Sequence, residues 1–230
     1  ALATWALGLA LEKNISLGKF FGWLLSFAVL SLYVLLTYTR GAWIGFAICV
    51  ALIAVIHNSR RSWAILSVGI VSVFAALYVW WDRLVFEVSH RKLSGRGPIW
   101  EYFYSTMPGN WFFGHGLGTP FEYKWPNQDA VSPHAHSLYL QVIYDSGLVA
   151  VGLIAIGLIV LCYKAWLVRS DPWVKLAFPA LVFALIAMIT DVERIFTRPG
   201  DYWTVVWLPI AVLLAVPVRR HLAGPIPLGS

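Results

Sequence analysis

The sequence is poor in charge for its length. Only 12% of its 230 residues are Asp, Glu, Lys or Arg, whereas roughly 25% of the residues in a soluble domain are charged. Hydrophobic residues make up 60% of the chain, and the mean hydropathy is +0.73. This balance excludes an ordinary soluble domain and indicates an integral membrane protein. The 13 Trp and 10 Tyr residues fit, because such amphipathic rings collect at bilayer interfaces.

Cysteine is scarce as well. Cys49 and Cys162 both lie inside apolar runs, which indicates small buried residues rather than a disulfide framework or a cysteine metal site. The net charge is +6, but the charges sit between apolar runs instead of forming one basic patch. We therefore expect membrane lipids as partners, and no nucleic acid.

Six uncharged or nearly uncharged runs are long enough to cross a bilayer, which takes about 17–25 residues. These runs are 20–39, 41–59, 62–81, 146–163, 173–190 and 202–218. Residues 1–11 are also uncharged but too short to span, so we expect them to end a helix that begins before Ala1. Pro179 and Pro209 predict kinks in the last two spans.

The predicted fold is an all-α integral membrane protein, a polytopic helical bundle with a large, partly helical periplasmic loop. Membrane helices occupy 1–81, namely the shortened first helix and three spans. The loop is 82–145, and three further membrane helices occupy 146–221. We set residues 222–230 aside as a tail that resembles an artificial addition.

The orientation follows from the short loops, since cytoplasmic loops are enriched in Lys and Arg. One side carries nine positive residues against Glu12 and Asp171: Lys13, Lys19, Arg60, Arg61, Lys164, Arg169, Lys175, Arg219 and Arg220. The other side carries eight positive residues and nine acidic ones. The first side is therefore predicted to be cytoplasmic, and the 82–145 loop faces outward.

The outer loop has helical signals of its own. Trp100, Phe103, Tyr104 and Met107 follow a helical repeat after Pro98, which is typical of a helix lying on the bilayer surface. Ser132 and Pro133 predict the start of a second helix that runs to about Tyr144. The sequence "GHGLG" at 114–118 has no preceding strand, so it predicts a glycine-rich turn rather than a nucleotide-binding loop.

Four arginines of the outer side are candidate anion-binding residues. Arg40 lies between two spans with almost no loop, where an ionised residue is a functional candidate, although it also suits an interface anchor. Arg96 precedes the Pro98 helix, and a guanidinium beside exposed helix N–H groups favours an anion. Arg194 and Arg198 share a short outer loop, where pairing with Asp or Glu or simple solvation is the alternative.

The candidate base is His136. In the first turn of its predicted helix, the helix dipole disfavours imidazolium, and a neutral imidazole is what a general base requires. His134 lies two residues away, so its ring is predicted to point to a different face. His90 and His115 add no zinc-binding spacing, and Asp191 with Glu193, the only close acidic pair outside, is the alternative site for a divalent cation. We therefore expect no metal and no other cofactor.

An outward-facing base among arginines at the lipid surface fits a substrate with phosphate in its headgroup. The base activates an acceptor hydroxyl, and the arginines neutralise a leaving diphosphate. A transporter or channel instead predicts ionisable residues deep within the spans. Between residues 20 and 81, Arg40, His57, Arg60 and Arg61 all lie near span ends, which disfavours transport, and a purely structural role leaves the Arg and His residues unexplained.

Three motifs carry a resemblance. His136-Ser137, nine residues and then Gly147 resemble the H-[N/S/Q]-x9-G-x-x-[G/T/Y] signature of the O-antigen ligase and polymerase superfamily. "TYTRGAWIGF" is similar to the T-x-S-R-G-x-W-x-G segment of that superfamily, with Thr39 in place of Ser. "LSGRGPIW" resembles its S-G-R-x-x-x-W segment. Ala150 departs from the last signature position, and the resemblance covers roughly residues 30 to 160.

The resemblance implies a transferase of the bacterial inner membrane whose multi-pass chain places the active site at the periplasmic face. Its donor is a glycan on undecaprenyl diphosphate, its acceptor is a sugar hydroxyl of lipid A–core, and no metal is needed. By motif, His136 is the catalytic base and Arg40 and Arg96 bind the diphosphate. Arg194 and Arg198 are added on charge placement alone. A polymerase or a protein O-glycan ligase with the same donor remains the alternative.

Overall fold

The computed structural model describes residues 1–37, 39–83, 85–86, 95–126, 129–190, 195 and 201–218. The helices are α1 (Leu2–Ala10), α2 (Leu17–Leu36), α3 (Arg40–His57), α4 (Arg60–Val79), α5 (Arg96–Thr106), α6 (Leu138–Leu167), α7 (Pro172–Ala187) and α8 (Asp201–Ala215). The strands β1 (Tyr123–Lys124) and β2 (Val131–Ser132) form a small antiparallel hairpin. The prediction of an all-α membrane protein is confirmed.

Every predicted span contains an apolar helix. α2, α4 and α6 are long and apolar enough to cross a membrane, while Gly41–His57, Pro172–Ala187 and Trp203–Ala215 are shorter apolar helices. α2 begins three residues before the predicted span, after Ser16 in an extended conformation. Its first turn therefore includes Lys19, which hydropathy alone leaves outside.

The chain divides into two compact units. The first comprises 1–62, 156–187 and 199–230, and its core is formed by the end of α6 together with α7 and α8. The buried side chains of this core are Leu161, Ala165, Val168, Val174, Ala177, Phe178, Leu181, Leu213 and Val216. α3 packs on α7, where the Cys49 thiol donates a hydrogen bond to the Pro179 carbonyl at 3.2 Å. Pro179 and Pro209 both lie inside helices.

The second unit comprises 63–155 and 188–198. Its core joins α5 to the hairpin and to the first turns of α6 through Ile99, Phe103, Met107, Phe121, Ala135 and Tyr144. Of the predicted apolar face, Phe103 in α5 and Met107 just after it are buried together with Ile99, whereas Tyr104 is 56% exposed. The prediction that this face rests on the bilayer is therefore wrong for Phe103 and Met107, because both pack against protein.

After residue 130, the predicted start of a helix differs from the structure and its predicted end agrees with it. Ser132 pairs with Tyr123 in the hairpin, and α6 begins only at Leu138, so the prediction of a helix from Ser132 is wrong. The predicted helix end at about Tyr144 is confirmed, since α6 joins two helices across a kink at Gly147, whose φ of 77° and ψ of 179° are non-helical. Cross-strand pairing overrides the local helix-start signal, and Gly147 separates the short helix after the hairpin from the membrane-spanning helix.

Candidate active site

His136 lies in the turn between β2 and α6, with φ at +50°. This left-handed conformation is uncommon for a residue other than glycine. Because α6 starts at Leu138, His136 is outside the first helical turn, and the expected dipole effect on its imidazole loses its geometric basis. The backbone that carries the candidate base is held by other contacts.

Both the backbone N–H and the backbone carbonyl of Ala135 are hydrogen-bonded to side chains. Its N–H donates to Gln141 Oε1 at 3.1 Å, and its carbonyl accepts from Trp100 Nε1 at 3.0 Å. Ala135 is fully buried. One residue earlier, the Ser132 hydroxyl donates to the His134 carbonyl at 3.1 Å. These bonds position the residue immediately before His136 and thereby hold the turn in a conformation that carries intrinsic strain.

Gln141 connects the turn to the helix that follows it. The side chain is only 1% exposed, and its Nε2 donates to Asp145 Oδ1 at 3.0 Å. Both ends of the amide are therefore used, as a buried polar group requires. At the start of α6, the Leu138 N–H donates to the Met188 carbonyl at 3.0 Å, which anchors the first helical turn.

Arg96 lies on α5, the helix whose Trp100 bonds the His136 turn. It is the first residue of that helix and follows Gly95, whose φ is +78° and where a Cβ would lie 3.1 Å from Trp125 Cη2. Arg96 and Trp100 are four residues apart, so they share one helix face. Since Trp100 bonds the peptide before His136, Arg96 emerges on the side of α5 that faces this turn. Its side chain is half-buried, and its Nε is buried.

His134 and His136 lie together. Their ring centroids are 4.2 Å apart, with an interplanar angle of 66°, so the prediction that they point to different faces is wrong. The left-handed residue reverses the chain, which a helix would not do.

The structure gives no side-chain placement for the remaining predicted site residues. Arg40 is the first residue of α3 and belongs to the first unit, and the structure describes only its backbone. Arg194, Arg198 and the Asp191–Glu193 pair lie outside the described residues. Their roles stay predictions. Among the described residues, no group of three or more His, Cys, Asp or Glu side chains is placed to hold a metal ion.

The glycine-rich turn predicted at 114–118 is confirmed, with positive φ at Gly114, Gly116 and Gly118, and it closes the break in α6. The His115 and Gly116 N–H groups donate to the Tyr144 and Asp145 carbonyls at 2.7 and 3.1 Å. These are carbonyls that a helix end leaves without partners. The His115 ring lies 4.4 Å from the Tyr144 ring, so the loop packs on the helix segment that carries Gln141.

Sequence reasoning missed the roles of Trp100 and Gln141. Trp100 was assigned only to an apolar stripe, although its indole N–H bonds a residue 35 positions away. Gln141 did leave a signal, because it is a lone amide within the apolar sequence "LYLQVIY". A polar side chain on an otherwise apolar helix face usually has a specific partner.

We expect Gln141→Leu to lower the free energy of unfolding by about 1–3 kcal/mol, because the Ala135 N–H then remains buried without an acceptor. Thermal unfolding of the detergent-solubilised protein measures this loss. Gln141→Glu is the matched variant, since it keeps an acceptor for Ala135 but places a second carboxylate beside Asp145. Equal stability of the Leu variant and the unmodified protein would contradict the role of Gln141.

Comparison with known proteins shows which family the chain belongs to. A family model described as O-antigen ligase matches residues 25–155. The O-antigen ligase of Pseudomonas aeruginosa strain PAO1 is 25% identical over 202 residues, which are 87% of this chain and 49% of that protein. The chain thus spans about half the length of this curated relative. No solved structure gives a significant match. Because the family model matches more than half of the chain, the protein belongs to the O-antigen ligase family.

Proposed function

We propose that the protein is a glycosyltransferase that moves a glycan from undecaprenyl diphosphate to a sugar hydroxyl of lipid A–core. The observation that supports this most directly is the His136 turn. The Ala135 peptide before His136 is hydrogen-bonded on both sides, and one of its partners, Trp100, stands one helical turn after Arg96. The proposed base and the proposed anion-binding residue are thus connected through Trp100 and Ala135, and transfer from a diphosphate requires two such groups to be held in a defined arrangement.

In the proposed reaction, the acceptor hydroxyl attacks the anomeric carbon of the donor glycan. The hydroxyl proton passes to the His136 imidazole, and the bond between the anomeric carbon and the diphosphate oxygen breaks. Arg96 and Arg40 neutralise the charge that develops on the departing undecaprenyl diphosphate. Arg194 and Arg198 are assigned to the same anion on charge placement alone. Because the guanidinium groups supply the positive charge, the proposal requires no metal.

The proposed location is the bacterial inner membrane, with the site facing the periplasm. The support is the distribution of Lys and Arg, which are in excess over acidic residues in the loops on the side opposite to the 82–145 loop. A glycan carried on a membrane lipid presents its reactive end at that surface, which is where a loop between membrane helices can reach it.

The test is to incubate the purified protein with an undecaprenyl-diphosphate glycan and lipid A–core in the presence of a chelator, and to separate the products on a gel. Glycan on lipid A–core supports the proposal. Longer lipid-linked chains with unmodified core would instead identify a polymerase, and transfer to an added protein would identify a protein O-glycan ligase. Transport of the lipid without covalent change is the outcome expected of a transporter.

We expect Arg96→Gln to raise the KM for the lipid-diphosphate donor by about 10- to 100-fold, since a charge-assisted hydrogen bond contributes about 1.5–3 kcal/mol. Steady-state kinetics at saturating acceptor measure this change. Lys124→Gln is the matched control, because it removes one exposed positive charge from the same unit and should leave the donor KM nearly unchanged. If the two variants raised the donor KM equally, Arg96 would act only through the overall charge of the protein, and its assignment to the diphosphate would be contradicted.

A further inference from the structure

Besides the His136 turn, the 82–145 loop contains a shorter loop at residues 110–118, which we call the aromatic loop. It lies within residues 102–121, a stretch of the sequence without Asp, Glu, Lys or Arg. Phe112 is 69% exposed, Phe113 is 78% exposed and Leu117 is 79% exposed. Large apolar side chains clustered on an uncharged loop are unusual on a surface that faces water, and they indicate an interaction surface.

The backbone of the aromatic loop is attached to α6 just beyond its break. The Leu148 N–H donates to the Trp111 carbonyl at 2.8 Å, and the Val149 N–H donates to the Phe112 carbonyl at 3.3 Å. These two N–H groups begin the helical segment after Gly147, so the loop caps that segment. The positions of Phe112 and Phe113 along α6 are therefore set by backbone hydrogen bonds.

The depth of this attachment follows from the sequence of the span. Asp145 is the last charged residue before Lys164, and the residues between them, 146–163, are uncharged. Those 18 residues form about 27 Å of helix, which nearly equals the ~30 Å hydrocarbon thickness. Gly147 must therefore lie near one edge of the hydrocarbon region, and the aromatic loop lies beside it.

The neighbouring surface of α6 indicates what covers the loop. Leu148 and Val149, which bond the loop, are 44% and 45% exposed, and Leu153 is 67% exposed further along the span. On a membrane-spanning helix these outward apolar side chains contact lipid. The side chains of the aromatic loop extend the same apolar surface without an intervening charge, so acyl chains are the partner that fits them best.

We propose that the apolar side chains of the aromatic loop are immersed in the bilayer, with Phe112 and Phe113 among the acyl chains at the Gly147 end of the span, while the loop backbone stays at the edge of the hydrocarbon region. The 82–145 loop then has a second membrane contact besides its helices. Four backbone groups of the aromatic loop, at Trp111, Phe112, His115 and Gly116, bond α6, which lowers the cost of placing irregular backbone at this edge. This contact fixes the height of the helix segment 138–146, which leads back to the His136 turn. The proposal is independent of which glycan the protein transfers.

Spin labels test the immersion directly. A label at Phe113→Cys in the protein reconstituted into phosphatidylcholine vesicles is compared with labels at Leu153→Cys and Val131→Cys. Leu153 lies in the span, while Val131 is an exposed residue paired with Lys124 in the hairpin of the same unit. The unmodified protein, labelled in the same way, gives the background from Cys49 and Cys162. Power saturation with oxygen and with a water-soluble nickel complex reports the surroundings of each label.

We expect the ratio of oxygen to nickel accessibility at Phe113 to resemble that at Leu153 and to exceed that at Val131 several-fold. High nickel accessibility, equal to that at Val131, would overturn the proposal, because the loop would then face water. Low accessibility to both reagents would also overturn it, since the loop would then be covered by protein. Phe112→Cys repeats the measurement should the first variant fold poorly. None of these readings depends on catalytic activity.

Discussion

Replacing His136 by asparagine is expected to lower kcat/KM for glycan transfer by about 10²- to 10⁴-fold, the usual contribution of a general base. Asparagine is chosen because it tolerates positive φ better than most residues, and Asn14 and Asn58 already adopt it in this chain. The amide is not protonated near neutral pH, so the variant removes the base while preserving the turn. Transfer to lipid A–core, followed by gel analysis, measures the effect.

The matched control for His136→Asn is His134→Asn. The two rings are in contact, so both variants disturb the same surroundings, but only His136 is assigned the proton transfer. We expect His134→Asn to retain transfer within about tenfold, which corresponds to roughly 1.4 kcal/mol. Thermal unfolding of both variants should stay close to that of the unmodified protein. A larger loss at His134 than at His136 would reverse the assignment.

Gly147→Ala is expected to destabilise the protein by about 2–6 kcal/mol. At φ 77° and ψ 179° the backbone adopts a conformation that is nearly restricted to glycine and costs other residues about 1–3 kcal/mol, and inserting a methyl group into packed surroundings adds about 1–3 kcal/mol. A Cβ at Gly147 would overlap the Phe112 carbonyl oxygen. That atom belongs to the backbone, so no rotamer change relieves the clash, and the bonds between the aromatic loop and α6 must break.

Gly152→Ala provides the control on the same helix. Nothing lies within 4 Å of a Cβ at Gly152, and alanine is favoured over glycine in a helix by about 1 kcal/mol. We expect this variant to be as stable as the unmodified protein or slightly more stable, measured by thermal unfolding in detergent. Similar melting temperatures for the two variants would show that Gly147 does not interrupt α6 as described. The signature position of Gly147 would then need another explanation.

Much of the fold could be predicted from the sequence because its determinants are additive or local. Low charge and high hydropathy specify a membrane protein through composition alone, and the apolar runs predict the helices to within a few residues. The sequence also predicts that Arg96 lies near the start of a helix, because Gly95, Arg96 and Pro98 are neighbours along the chain. The resemblance of the motifs also predicts that His136 and Gly147 belong to a family signature.

Local rules failed where distant residues compete for the same backbone groups. Ser132 and Pro133 resemble a helix start, but Ser132 pairs with Tyr123 across the hairpin. Likewise, residues two apart in a helix point to different faces, but a left-handed φ at His136 brings its ring against that of His134. In both cases a tertiary hydrogen bond or a strained dihedral angle overrides the preference of the local sequence.

By itself, the sequence determined the membrane class and the approximate helices, and its resemblance to a known family led to the choice of His136 and the arginines as candidates. Only the tertiary structure decided how His136 is presented. Trp100 reaches Ala135 across 35 residues, and Tyr144 donates a hydrogen bond to the Pro120 carbonyl across 24 residues. Neither contact follows from spacing or composition, because a hydrogen bond between distant segments forms only once packing has brought them within about 3 Å of each other.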